Sequence, residues 1–172
     1  MSYEEHRAKA AEFKKRLNFA IITVSTSRFH SSEKRDESGE IAKKIVMSKD
    51  HKVVGRWLVP DDIVKIRRKV LQAMDDPKVD VIVISGGTGP SKTDVTIKAV
   101  SPLLDKELPG FGEAFRIEGY KEIGAPALLS SSMLGIANGK VIVCLPGSPD
   151  GVKLGLNLII DELPHIAYLC SP

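Results

Sequence analysis

The chain has 172 residues, 25 Lys plus Arg against 22 Asp plus Glu, and 42% hydrophobic residues. At about 150 residues per domain this is one domain, able to bury roughly 70% of its unfolded surface, which excludes disorder as its main state. A formal charge of +3 is too small to point to a nucleic-acid partner and 5% aromatic residues leave little for base stacking, while no apolar stretch approaches the roughly 20 residues that span a bilayer.

The first segment, MSYEEHRAKAAEFKKRL, has no apolar core and carries acids, so it reads as neither a secretory nor a transit signal. It is weakly amphipathic around Phe13 and Leu17. Residues 1–17 are therefore expected to be a helical extension, packed on an α/β domain at 18–172 or on a neighbouring subunit. Phe19–Val24 is a nearly continuous apolar run, the mark of a strand covered on both faces. Hydroxyls stand at its carboxyl end, at Thr23, Ser25, Thr26 and Ser27, then come Arg28 and a polar stretch over 29–39 that reads as a mobile lid or a solvated loop. Residues 39–48 read as a short helix. Lys52–Val59 alternates imperfectly and contains Gly55 and Arg56, which suits an edge strand.

After Pro60, Asp61 and Asp62 open a helix whose apolar stripe is Ile63, Ile66, Val70 and Met74. Its opposite face, Lys65, Arg67, Arg68 and Lys69, reads first as a solvated face, with a basic patch as the alternative. Val79–Ile84 is a third buried strand. It runs into Ser85-Gly86-Gly87-Thr88-Gly89-Pro90, whose glycines suit an anion nest or simply a tight βα turn. Counting from Gly86 places Ser91 where a P-loop needs its second Gly, and Lys92 breaks the dinucleotide pattern, so neither nucleotide motif applies. Asp94 precedes a helix expected over 95–104 and reads as its N-cap. Taken together, Asp61 and Asp94 beside a phosphate-ready loop suggest a magnesium site for phosphate chemistry.

Lys140–Leu145 is a fourth buried strand, followed by the turn Pro146-Gly147-Ser148-Pro149 and a helix over about 151–163. Strands alternating with helices imply a single three-layer α/β domain, a mostly parallel sheet with helices on both faces. Its ligand site belongs at the carboxyl ends of the strands. Cys144 and Cys170 form no C-x-x-C pair and are expected to be reduced thiols of a cytoplasmic protein. The four His show no ligand spacing, and none is assigned to a metal.

Thr23-Val-Ser25, Asp36-x-Ser38-Gly39, Val59-Pro60-Asp61, Gly86–Gly89 with Asp94-Val-Thr96, Pro109-Gly110-x-Gly112-Glu113 and Leu145–Ser148 occur in that order. Over about residues 18–165 this resembles the MoaB/Mog family of molybdenum cofactor biosynthesis, and the segment from Gly110 to Gly124 leans to the MoaB branch. The resemblance implies a nucleotidyltransferase, a molybdopterin adenylyltransferase using Mg²⁺ with ATP as co-substrate. It also implies Asp61 and Asp94 as catalytic and magnesium-holding carboxylates. Ser25, Ser27, Ser85, Gly86, Gly87, Thr88, Gly89, Ser130, Pro146, Gly147 and Ser148 would bind substrate. A homo-oligomer, trimer or hexamer, and a molybdate-inserting enzyme are the partners it implies, with no nucleic acid and no membrane.

Two positions depart from the family pattern. Ser131 stands where many members carry an Arg, which leaves phosphate neutralisation to Arg28, Lys34 or Lys92. Thr26 stands where an Asp is frequent. Ser131 and the MoaB-like segment from Gly110 to Gly124 motivate an alternative, a non-catalytic molybdopterin-binding or assembly protein, although both acids are retained.

Overall fold

The computed structural model describes residues 2–13, 16–31 and 35–171; Lys34 lies outside them. In chain order the elements are α1 (Tyr3–Phe13), β1 (Asn18–Val24), α2 (Thr26–Phe29), α3 (Glu37–Ser48), β2 (Lys52–Val59), α4 (Ile63–Asp75) and β3 (Val81–Ser85). There follow α5 (Thr96–Val100), β4 (Lys106–Glu107), α6 (Gly110–Ile123), β5 (Met133–Ala137), β6 (Lys140–Leu145), α7 (Pro149–Ile159) and α8 (Leu163–Cys170). The sheet runs β2-β1-β3-β6-β5-β4. The four strands expected from the sequence form its parallel block, with β2 at the edge.

Two antiparallel strands, β5 and β4, extend the sheet beyond β6. The β5–β6 hairpin turns on Asn138 (φ 50°) and Gly139 (φ 69°), whose left-handed conformations match the right-handed twist of the strands. On one face Ile22, Ile82 and Ile142 pack with Ile66 and Val70 of α4. On the other, Phe19, Ile21, Val83 and Val143 pack with Val46 of α3 and Leu156 of α7. Burial on both faces is why these strands read as continuous apolar runs.

Several boundaries differ from the sequence expectation. The helix expected over 95–104 is α5 followed by a 3-10 turn at Ser101–Leu103, where Pro102 lacks the N–H that an α-helix would use. The helix expected over 151–163 starts two residues earlier and stops at Ile159, with α8 a separate helix after it. Helix α6 was not expected at all. The basic face of α4 is tied into the fold: Arg67 Nε donates to Ala99 O at 2.9 Å, and Lys69 and Lys65 sit over the rings of Trp57 and Phe29 at 5.0 and 5.6 Å. Helix α1 lies against α8 of the same chain, with Ala10 buried and Arg7 3.8 Å from Glu162.

Asp36 joins three elements. Its carboxylate accepts from Gly39 N (3.0 Å) as N-cap of α3, from Thr23 Oγ1 (3.0 Å) at the end of β1 and from Arg56 Nη2 (3.1 Å) on β2. Asp36→Ala is expected to lower stability by about 2 kcal/mol, a loss of a cap and a partly buried charged bond. That corresponds to a melting point lower by roughly 4–8 °C; an unchanged melt would contradict the role.

His51 is buried, stacks on Phe19 at 5.4 Å and accepts from Leu17 N at 3.3 Å. Burial pushes its pKa below the usual 6.5. The unfolded chain therefore binds more protons, and stability falls as pH drops through that range. The urea midpoint should decline from about pH 7 to about pH 5 in the wild type, with a shallower decline in His51→Gln. Parallel curves would contradict this.

Candidate active site

The register sets the ends of the parallel strands level: Thr23 lies opposite Ser85, and Ser85 opposite Leu145. The turns that follow them therefore meet. Gly86 adopts φ +100°, its N–H donates to Leu145 O at 3.0 Å, and a Cβ there would run into Val24 O. A Cβ on Gly147 would stand 3.1 Å from Gly86 Cα, so the turns after β3 and β6 touch backbone to backbone. Ser38, fully buried, donates to Gly147 O at 2.6 Å. Thr96 holds the other side: its Oγ1 donates to Gly86 O at 2.7 Å and its N–H to Gly87 O at 2.9 Å. The glycine loop is thus pinned from both sides, and its N–H groups are fixed in direction.

Asp61 and Asp62 divide two tasks. Asp62 caps α4, accepting from Lys65 N at 2.8 Å. Asp61 is left for the cleft. Its Oδ2 accepts from Thr26 N (2.8 Å) and Thr26 Oγ1 (2.7 Å), while its own N–H donates back to Thr26 Oγ1 (2.9 Å). Thr26, the departure from the family pattern, therefore orients the carboxylate and adds no second charge. Asp61 Oδ1 points to the glycine loop, 3.1 Å from where a Gly87 Cβ would be.

Asp94 is not the N-cap of α5; Val95 holds that position without a side-chain bond. The carboxylate turns back into the loop, where Oδ2 accepts from Ser91 N at 3.0 Å and lies 2.8 Å from a Gly89 Cβ position. Both carboxylates therefore border one loop. Among the described residues no hydrogen bond is made to Oδ1 of either. Two open carboxylate oxygens suit a hard divalent cation that completes its shell with water and phosphate. Among the described residues no group of three or more His, Cys, Asp or Glu is placed to hold a metal ion by itself.

The remaining expected residues fall into two groups. Ser25 caps α2 and lies 3.4 Å from Ser27 Oγ at the rim near Asp61. Ser85 is fully buried with its Oγ unpartnered, so its backbone is what borders the loop. Thr88 O accepts from Ser131 N at 3.0 Å, bringing Ser130 Oγ to 3.4 Å from Thr88 Oγ1. Ser130, Pro146 and Ser148 line a cavity of about 200 Å³ with Phe115, Ala127 and Leu154. Helices α6 and α7 form two of its walls, α6 through Phe115, Gly119, Glu122 and Ile123, and α6 is an element that no period in the sequence marks. Arg28 is half-buried on α2 and Lys92 is exposed on the loop.

Residues 20–165 match the family described as "Probable molybdopterin binding domain". The chain is 42% identical to molybdenum cofactor biosynthesis protein B of Bacillus cereus, over 98% of this chain and 97% of that protein. It is 38% identical to a protein of Pyrococcus furiosus named molybdopterin adenylyltransferase, over 96% of each. A crystal structure of a molybdenum cofactor biosynthesis protein B superposes with a TM-score of 0.85 at 40% identity, covering 91% of this chain and 96% of the other. The chain belongs to the molybdopterin-binding domain family of molybdenum cofactor biosynthesis proteins.

Proposed function

We propose that this chain is a molybdopterin adenylyltransferase that takes Mg-ATP as co-substrate. The observation that carries the reading is the convergence of Asp61 and Asp94 on one pinned glycine loop. A phosphate oxygen of molybdopterin attacks the α-phosphorus of ATP, the bond to the β-phosphate oxygen breaks, and pyrophosphate leaves. Two anions must approach in this reaction, so positioning and charge neutralisation carry the catalysis. Backbone N–H groups of Gly87 to Gly89 hold phosphate oxygens, with Ser25 and Ser27 at the rim; that of Gly86 is taken by Leu145 O. Asp61 and Asp94 would hold Mg²⁺ through their open Oδ1 atoms, and the ion supplies the positive charge that the two carboxylates lack. Thr26 keeps Asp61 turned towards the loop. Ser130, Pro146, Gly147 and Ser148 lead into the α6–α7 cavity, which takes an organic part of a substrate. The name of the Pyrococcus furiosus relative supports the same activity.

The rival reading, a non-catalytic binding or assembly protein, draws on Ser131, which offers no cation. Turnover decides between them. Purified protein mixed with molybdopterin, ATP and Mg²⁺ should yield adenylyl-molybdopterin, and Asp94→Asn should lower the rate by roughly 10²–10³-fold while the melting point holds. Molybdopterin binding without product would favour the rival, and a fully active Asp94→Asn would remove Asp94 from the site.

The protein is further proposed to work in the cytoplasm as a homo-oligomer, trimer or hexamer, that passes its product to a molybdate-inserting enzyme. Among the described residues no helix is long and apolar enough to cross a membrane. Ile117, Tyr120 and Ile123 on α6 are exposed together with Leu128 and Leu129, an apolar face of the kind that marks a protein contact. Light scattering should report an oligomer, and Ile117→Glu with Leu128→Glu should shift it towards monomer. An unchanged assembly would place the contact elsewhere.

A further inference from the structure

The motif Pro109-Gly110-x-Gly112-Glu113 takes no part in the glycine-loop site, yet it forms a second concave surface at the same sheet edge. A polar cavity of about 100 Å³ is lined by Glu107, Pro109, Gly112, Glu113, Arg116 and Ser132. It adjoins the first site, because Ser131 N donates to Thr88 O at 3.0 Å and Ser132 is the next residue. Ser132 is 8% exposed and its Oγ has no hydrogen-bond partner. A buried hydroxyl left in this way is destabilising unless a ligand or water meets it. Helix α6 starts here with no side-chain cap on its first turn; Phe111 N and Glu113 N donate to Leu108 O and Pro109 O, which leaves the N–H groups of Gly110 and Gly112 open among the described residues. A Cβ on Gly112 would lie 2.9 Å from Ser132 O and 3.8 Å from Arg116 Nη1, so the guanidinium stands beside the same segment.

We infer that this cavity is the subsite for the 2-amino-4-oxopyrimidine edge of the pterin substrate. The inference rests on the proposal that molybdopterin is that substrate. Two carboxylates and one guanidinium make the cavity repel a phosphate, which excludes it as an oxyanion site. The pyrimidinone edge carries two adjacent N–H donors, at the 2-amino group and N3, and a carbonyl acceptor at C4. A carboxylate of Glu113 or Glu107 accepts the donor pair in bidentate fashion, as it accepts a guanidinium. Arg116, Ser132 Oγ and the open N–H groups of α6 are the donors for the carbonyl. Adenine has no adjacent donor pair and does not fit this set. The larger α6–α7 cavity is largely apolar and, although Glu122 and Asp150 line it, no arginine or lysine does.

Equilibrium titration of the full chain with 6-methylpterin and 6-methyllumazine tests the assignment. Lumazine carries oxygen where pterin carries the 2-amino group, and so turns an acceptor towards the carboxylates. The wild type should prefer pterin by at least about tenfold. The double variant Glu107→Gln, Glu113→Gln should lose that preference, and Ser132→Ala should weaken pterin binding severalfold. Melting curves of the variants confirm that they fold. Equal affinity for the two probes, a preference that survives in the double variant, or displacement of pterin by inorganic phosphate would each overturn the subsite. Neither probe needs ATP or turnover. A wild type that shows the preference but forms no adenylyl product therefore supports the subsite while refuting the adenylylation reading.

Discussion

The turns after β3 and β6 meet at the carboxyl edge of the sheet with no side chain between them. A Cβ on Gly86 would collide with Val24 O, and one on Gly147 would stand 3.1 Å from Gly86 Cα, closer than most Cβ contacts. This contact brings the loop holding Thr88 and Gly89 beside the turn holding Ser148, and both beside the strand-end residues of β1 and β2. Larger residues here would push the turns apart and leave the four strand ends as unrelated loops. The parallel register supplies level strand ends, and missing side chains let their continuations converge.

Charge is distributed around that contact with a clear division of labour. Asp36 is consumed by structure, tying β1, β2 and α3 together, and Asp62 is consumed by the cap of α4. Asp61 and Asp94 each spend one oxygen on holding their own orientation and keep the other open. A carboxylate fixed in this manner gives a cation or substrate a preorganised partner, without reorganisation during the reaction. The near-neutral total charge thus conceals a local excess of acid at one sheet edge.

The parallel block was legible because β1, β3 and β6 are covered on both faces and hence almost wholly apolar. The candidate site was legible in position, since ligand sites lie at strand ends, and Asp61 is left to it because Asp62 caps the helix. Other features are less legible. Helix α6 carries Gly110, Gly112 and Gly119 and a weak apolar stripe, so no helical period stands out. Strand β5 is five residues long and includes Gly135, although the Asn138-Gly139 turn was a usable signal for its hairpin. Asp94 looked like a cap because it precedes a helix, but its carboxylate folds back onto Ser91 N, a bond that sequence spacing does not separate from capping.

The closeness of Asp94 to the glycine loop is most directly tested by Gly89→Ala. Gly89 has an ordinary φ, and the added Cβ would lie 2.8 Å from Asp94 Oδ2, the end of a movable side chain. The fold should survive with a melting point within a few degrees, while the carboxylate is displaced. Adenylyl-molybdopterin formation measured at saturating ATP should then fall by at least about tenfold, about 1.4 kcal/mol of transition-state stabilisation. A Gly89→Ala protein that melts and turns over like the wild type would contradict a catalytic cleft built on the spacing between this loop and Asp94.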